Sequence, residues 1–312
     1  MNKLLAWMLP ACILISMAAG QAPPAPPPQP TPETTARIVL DVTRVGILFT
    51  VSDHRGHFIT DLVKDDFEVF ETKRPQKIME FTAESDLPLR LAVLIDTSNS
   101  IRERFRFEQA ACMEFLNTLL RPRQDKAMVV SFDTKTELAS DLTDDTRQLE
   151  NAIQNLRPGG GTAMYDAIFM ACRDKLMQDQ PRHKFRRAMV VVSDGDDNSS
   201  DHTLGQALEM SQKADVVVYT ISTNISRTET DGDKVLRYLA AETGGLAFFP
   251  FKVEDLSQSF ENIANELRHQ YSIFYRPEPL KTDGLYHTVI VRVKDRKGMV
   301  VRARKGYYAP RM

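Results

Sequence analysis

The sequence predicts an α/β fold: a doubly wound, mostly parallel sheet covered by helices, with a small antiparallel β-domain formed from both flanks of the chain. Three observations carry this. Apolar runs without alternation at 91–95, 127–132 and 188–192 read as strands buried on both faces, which is typical of parallel sheets covered by helices. Between them lie segments with helical spacing, and a strand, a crossover helix and a parallel strand are the repeating unit of a doubly wound sheet. Towards both ends the pattern changes to alternation of apolar and polar residues, at 38–52, 67–81, 271–275, 286–293 and 300–307, as in half-buried strands.

In chain order, Lys3, an apolar stretch from Leu4 to Met17 and the small residues Ala18-Ala19-Gly20 read as a signal peptide over 1–20, which predicts a secreted, periplasmic or envelope-associated protein. A lipoprotein reading of Leu9-Pro10-Ala11-Cys12 would leave the apolar stretch too short and put proline inside the motif. Residues 21–36, rich in proline, form an extended polyproline II spacer. A β-rich flank follows over 37–85. The central domain spans 88–270, and strands over 271–312 pair with 37–85, since neither flank has enough strands to stand alone. Within the centre, a helix from Arg102 to Leu120 stops before Pro122, and the strand 127–132 is followed by an antiparallel edge strand over 137–142. Asp145 and Gln148 form a capping box for a helix ending near Leu156. Strands at 188–192, 216–221 and 246–249 alternate with helices starting near Thr203, Asp233 and Glu254. No stretch after the signal would span a bilayer.

A chain of 312 residues with 42% hydrophobic content can bury a sizeable core. Its 40 basic and 42 acidic side chains create no general field, and no basic stripe is interleaved with aromatics, so nucleic acid is not expected as a partner. Lys184, Arg186 and Arg187, the densest basic cluster, read as a solvated turn before the strand at 188. Cys112 and Cys172 each sit in a helical pattern facing the sheet, and mid-helix positions of this kind are expected to stay unbridged.

The chemistry concentrates in three segments, Asp96-Thr97-Ser98-Asn99-Ser100, Gly159-Gly160-Gly161-Thr162 and Ser193-Asp194-Gly195, each at a point where a strand or loop gives way to a helix. Asp96 ends an apolar strand, and open α/β sheets bind ligands beyond the carboxyl ends of their strands. Carboxylates and hydroxyls are hard oxygen donors with no His or Cys among them, which favours Mg²⁺, with Mn²⁺ or Ca²⁺ as alternatives. Only two of the five groups are charged, so the ion would keep water and an open position.

Together these segments resemble the metal-ion-dependent adhesion site of von Willebrand factor A-type domains: Asp96, Ser98 and Ser100 match its first motif, Thr162 its second and Asp194 its third. The resemblance implies that the serines, and in some states the threonine, touch the ion directly while the aspartates act through water. Asp65-Asp66-Phe67-Glu68-Val69-Phe70, 238–245 and 302–310 further resemble the acidobacterial exported subgroup of that family. The expected function is an exported adhesion or protein-binding module, not an enzyme, that coordinates a divalent cation and captures an Asp or Glu carboxylate from a protein or peptide partner. Alternatives are an envelope protein whose metal site stabilises the fold, and a metal-dependent hydrolase using Asp196, Asp197, Asp201 or His202. Those four residues read instead as a hydrated acidic loop. The chain has neither a Gly-x-Ser-x-Gly elbow nor a phosphate-loop lysine.

Overall fold

A computed structural model describes residues 44–83, 87–102, 104–179, 184–224, 228–250, 252, 255–294 and 298–311; the expected signal peptide (1–20) and proline-rich spacer (21–36) lie outside the described residues. Residues 39–312 form one compact unit. At its centre is a six-stranded sheet built from β5 (Leu89–Asp96), β6 (Lys126–Phe132), β7 (Thr136–Thr143), β8 (Arg186–Ser193), β9 (Val216–Ser222) and β10 (Ala247–Phe248), in the spatial order β10-β9-β8-β5-β6-β7. All neighbours are parallel except β7, which runs antiparallel to β6.

The eight residues of β5 are all buried because alternate side chains feed two different cores. Leu91, Val93 and Ile95 pack with Cys112, Phe115 and Phe260 on one face, and Ala92 and Leu94 with Met164, Ile168 and Cys172 on the other. The two cysteines thus lie on opposite sides of the sheet, free and buried. Helices α1 (Phe105–Leu119), α2 (Thr146–Asn155), α3 (Met164–Met170), α4 (Leu204–Lys213), α5 (Asp231–Thr243) and α6 (Asp255–Arg268) cover these faces. Helix α1 starts later than its periodicity predicts, because a 3₁₀ turn over Asn99–Ile101 comes first. Asp145 caps α2, accepting from Arg147 N and Gln148 N, but the expected capping box is not completed by Gln148, since Asp145 N donates to Thr143 Oγ1 at 3.1 Å.

The expectation of a solvated basic turn at 184–187 is overturned for two of its three residues. Arg186 and Arg187 belong to β8 and are 6% and 2% exposed. Their guanidinium groups are spent on carbonyls: Arg186 Nε donates to Leu87 O at 2.9 Å and its Nη1 to Leu267 O, while Arg187 Nε donates to Leu176 O at 2.7 Å. A buried cation needs such partners.

The flanks build two four-stranded antiparallel sheets where the sequence suggested one small domain without internal division. One has the order β13-β1-β11-β4, from β1 (Val45–Ser52), β4 (Ile78–Thr82), β11 (Tyr271–Tyr275) and β13 (Val300–Ala303). The other has the order β14-β12-β2-β3, from β2 (Phe67–Glu71), β3 (Arg74–Gln76), β12 (Tyr286–Val293) and β14 (Gly306–Tyr308). Each sheet therefore takes two strands from either flank. Both contribute to one core around Ile47, Phe49, Val69, Ile273, Tyr275 and Val291. Within it Glu71 accepts from Tyr275 Oη at 2.8 Å and meets His287 Nδ1 at 2.9 Å, across 216 residues of sequence in the latter case.

Candidate metal centre

The order in which strands are added to the central sheet reverses between the parallel strands β5 and β8: β5 leads to β6 on one side, and β8 to β9 and β10 on the other. The crevice beyond the carboxyl ends of such a pair is where α/β sheets place ligands. Asp96 ends β5 there, fully buried, and Asp194 directly follows β8. Ser98 N donates to Asp96 Oδ1 at 2.8 Å and Ser193 Oγ to its Oδ2 at 2.6 Å, so both oxygens are oriented. The hydroxyls of Ser98 and Ser100 lie 2.9 Å apart, the first buried and the second exposed. The glycine loop packs onto this turn: Gly159 N donates to Thr97 O at 2.6 Å, and Asn99 Nδ2 to Gly160 O at 3.2 Å. Thr162, buried, joins the loop after β8 through its own N–H, which donates to Asn198 Oδ1 at 3.0 Å. The structure thus brings all three segments together.

One glycine contact shows how tightly the third segment is seated. Gly195 has φ +84°, and a Cβ there would come within 2.3 Å of Gly232 O at the start of α5; a Cβ on Gly232 would in turn meet Asp194 O at 2.2 Å. Neither position admits a side chain without shifting backbone.

The electrostatics favour a cation. Burial pushes the Asp96 carboxyl from 3.8 up to about 6; its hydrogen bonds from Ser193 and Ser98 oppose this, and the nearby Asp194 charge adds to it. Among the described residues neither carboxylate has an ion-pair partner. A divalent ion beside Asp96 and Asp194 would relieve that repulsion, and the hydroxyls of Ser98, Ser100 and Thr162 would supply neutral hard oxygens, so the donor set fits Mg²⁺, Mn²⁺ or Ca²⁺. It differs in kind from a site of clustered His, Cys, Asp and Glu, and no group of three or more of those is placed to hold a metal among the described residues.

Residues 91–196 match the family model of the von Willebrand factor type A domain. The chain carries an A-type domain. Among solved structures, a von Willebrand factor type A protein from Catenulispora acidiphila aligns over 86% of this chain and 75% of its own, at 14% identity and a TM-score of 0.52. Proximal thread matrix protein 1 of the mussel byssus aligns over 64% of this chain, at 16% identity and a TM-score of 0.52, the match spanning 51% of the mussel chain. These are likenesses of fold. No curated protein matches.

Sequence reasoning missed how the A-type domain holds its second and third segments. Asp197, expected to be a hydrated acid, is partly buried and accepts from Tyr165 N at 2.8 Å, while Asp166 accepts from Asp201 N and His202 N at 3.0 and 2.9 Å. His202 is likewise engaged, 2.6 Å from Asp166 through Nδ1 and stacked on Phe169. A run such as Asp196-Asp197-Asn198-Ser199-Ser200 has the composition of helix caps, and that was the available signal. The helix end it caps lies far away in sequence. Among the described residues, no helix is long and apolar enough to cross a membrane.

Proposed function

We propose that this A-type domain is an exported, metal-ion-dependent binding module that captures a carboxylate from a protein or peptide partner. The observation that carries the reading is the convergence of the Asp96, Ser98, Ser100, Thr162 and Asp194 segments at the reversal point of the sheet, with a buried carboxylate that has no counter-charge among the described residues. When bound, a divalent ion such as Mg²⁺ supplies an electrophilic centre that attracts an anionic oxygen. Asp96 and Asp194 contribute the negative charge, and Ser98, Ser100 and Thr162 complete the donor set without neutralising the ion further. That leaves net positive character towards solvent, which suits an Asp or Glu side chain.

Binding is favoured over hydrolysis by the state of two nearby carboxylates. Asp197 accepts from Tyr165 N, Ser200 N and Ser200 Oγ, and Asp166 from Asp201 N and His202 N, so both are committed to holding the loop and not to activating a water. The apolar segment from Leu4 to Met17 with Ala18-Ala19-Gly20 supports export. The test is calorimetric titration of Mn²⁺ and Mg²⁺, followed by capture of a partner from envelope extract with and without chelator. One ion per chain is expected, lost in Asp96→Ala and Asp194→Ala, with capture abolished by chelator and by amidation of the partner's carboxylates. Unchanged ion binding in Asp96→Ala, or capture that survives chelator, would overturn the reading.

A further inference from the structure

The amino end of α3 is capped from outside its own segment. Its N-cap residue, Ala163, has no side-chain oxygen to offer, and the first N–H groups of a helix need acceptors. They find them on the loop that follows β8. Thr162 N donates to Asn198 Oδ1 at 3.0 Å, Tyr165 N to Asp197 Oδ2 at 2.8 Å and Asp166 N to Ser200 Oγ at 3.0 Å. Bonds also run the other way. Asn198 N and Ser199 N both donate to Thr162 O at 3.0 Å, and Asp201 N and His202 N donate to the Asp166 carboxylate. Asp197 is itself fixed, accepting from Ser200 N at 3.1 Å and Ser200 Oγ at 2.7 Å, and Asn198 Oδ1 also accepts from Ser199 Oγ at 2.8 Å.

This clasp bears on the candidate site through two of its members. Thr162 has both its N–H and its carbonyl bound to the opposing loop, so the backbone that aims its hydroxyl is set by Asn198 and Ser199 and not by its own glycine-rich segment. Asp194 lies just upstream of the same loop, at the point where Gly195 is wedged against Gly232. Resting on the cation-site reading, we propose that Asp197 and Asn198 are positioning residues, which lock the Thr162 and Asp194 segments into one body so that the two ligands keep a fixed separation. Neither contacts the ion. Their effect passes through Thr162, and this separates the role from simple helix capping. A cap lost for its own sake destabilises the protein equally with and without metal, whereas loss of a positioning residue also lowers ion affinity. The glycine run explains why outside support is needed: Gly159, Gly160 and Gly161 give the loop its approach to the site but leave it the most freedom to lose.

The test is a double-mutant cycle on the full chain, with Mn²⁺ alone as probe and affinity read by calorimetry for Asp197→Ala, Thr162→Ala and the double variant, alongside Asp197→Asn and unfolding in chelator. Asp197→Ala is expected to weaken Mn²⁺ binding by about tenfold or more, the range seen when residues supporting metal ligands are removed. Asp197→Asn, which keeps an acceptor for Tyr165 N, should recover most of this. The double variant should bind within about twofold of Thr162→Ala, because the two changes cut one chain of contacts. Wild-type affinity in Asp197→Ala, or losses that multiply in the double variant, would overturn the proposal while leaving the cation site standing. Wild-type protein that binds no Mn²⁺ would instead remove the cation site and the proposal with it. Should Asp197→Ala fail to fold, Ser200→Ala makes a milder cut in the same clasp; it is expected to weaken binding in the same direction, and unchanged affinity there would also refute the role.

Discussion

Replacing Glu108 by glutamine should make the protein more stable, and increasingly so as the pH rises. Glu108 lies on α1, 2% exposed, with no hydrogen-bond partner for Oε2 among the described residues, beside a small cavity lined by Arg104, Thr223, Lys252 and Leu256. Burial pushes its carboxyl from 4.5 up to about 8; the Arg104 charge opposes this, and those of Asp96 and Asp194 add to it. The folded protein therefore holds a proton between those two values that the unfolded chain has released. Stability contributed at this position is fully present below the lower value and falls as pH rises towards the upper one. At about 1.4 kcal/mol for each pH unit, the loss by pH 9 is on the order of 3–5 kcal/mol, a large share of a typical folding free energy. Glutamine keeps the shape and never ionises. Urea unfolding of both proteins in chelator from pH 5 to pH 9 should give curves that nearly coincide at the acid end and separate by several kcal/mol at the alkaline end. Asp96 titrates in both proteins, so what remains of it in the difference is its repulsion of the Glu108 charge, which acts in the same direction. Parallel curves would mean that Glu108 is solvated or paired in solution, and the account of its burial would fail.

Two further outcomes follow from the same structure. Because Asp96 is raised to about 6, it holds a proton below that value, and the affinity for Mg²⁺ should drop steeply as pH falls from 7 to 5; calorimetry showing a flat profile over that range would refute Asp96 as a ligand. Deleting residues 284–312 removes β13, a partner of β1, and β12, a partner of β2, together with β14, which pairs with β12; it should raise hydrogen exchange across Val45–Ser52 and Phe67–Glu71 as well as promote aggregation through the exposed edges, and unchanged protection in those strands would contradict the observed pairing.

The central sheet was legible in the sequence because its strands are continuous apolar runs, and a residue such as Asp96 at the end of one can sit only at its rim. The division of 67–81 into three strands was not. Its first turn is formed by Thr72 and Lys73, both with positive φ, where the usual Asn-Gly or Asp-Gly signal is missing. Arg186 and Arg187 were misread because charge normally marks solvent, and the carbonyls that accept their protons, on Leu87, Leu176 and Leu267, leave no trace in local sequence. Two of the candidate ligand segments were visible as oxygen-rich breaks after apolar runs, and the third as a glycine run ending in Thr162 before a helix. The clasp of Asp197 and Asn198 was invisible for a related reason: a cap is ordinarily sought beside its helix, and here it comes from 32 residues downstream in the case of Tyr165 N and Asp197.

The carbonyls that Arg186 binds lie at both points where the chain passes between the central sheet and the flanking ones: Leu87 just before β5, and Leu267 in the last turn of α6 before β11. A single side chain from the middle strand thus pins the two crossings side by side. During synthesis, β1 emerges long before β11, and joining them in an unstructured chain would mean closing a loop of more than two hundred residues. Once the central sheet has formed, that closure is already made by Arg186, and the flanking strands have only short tethers left to search. In this topology a formed central domain shortens the loop that the flanking strands must close, and so lowers the entropic cost of their pairing.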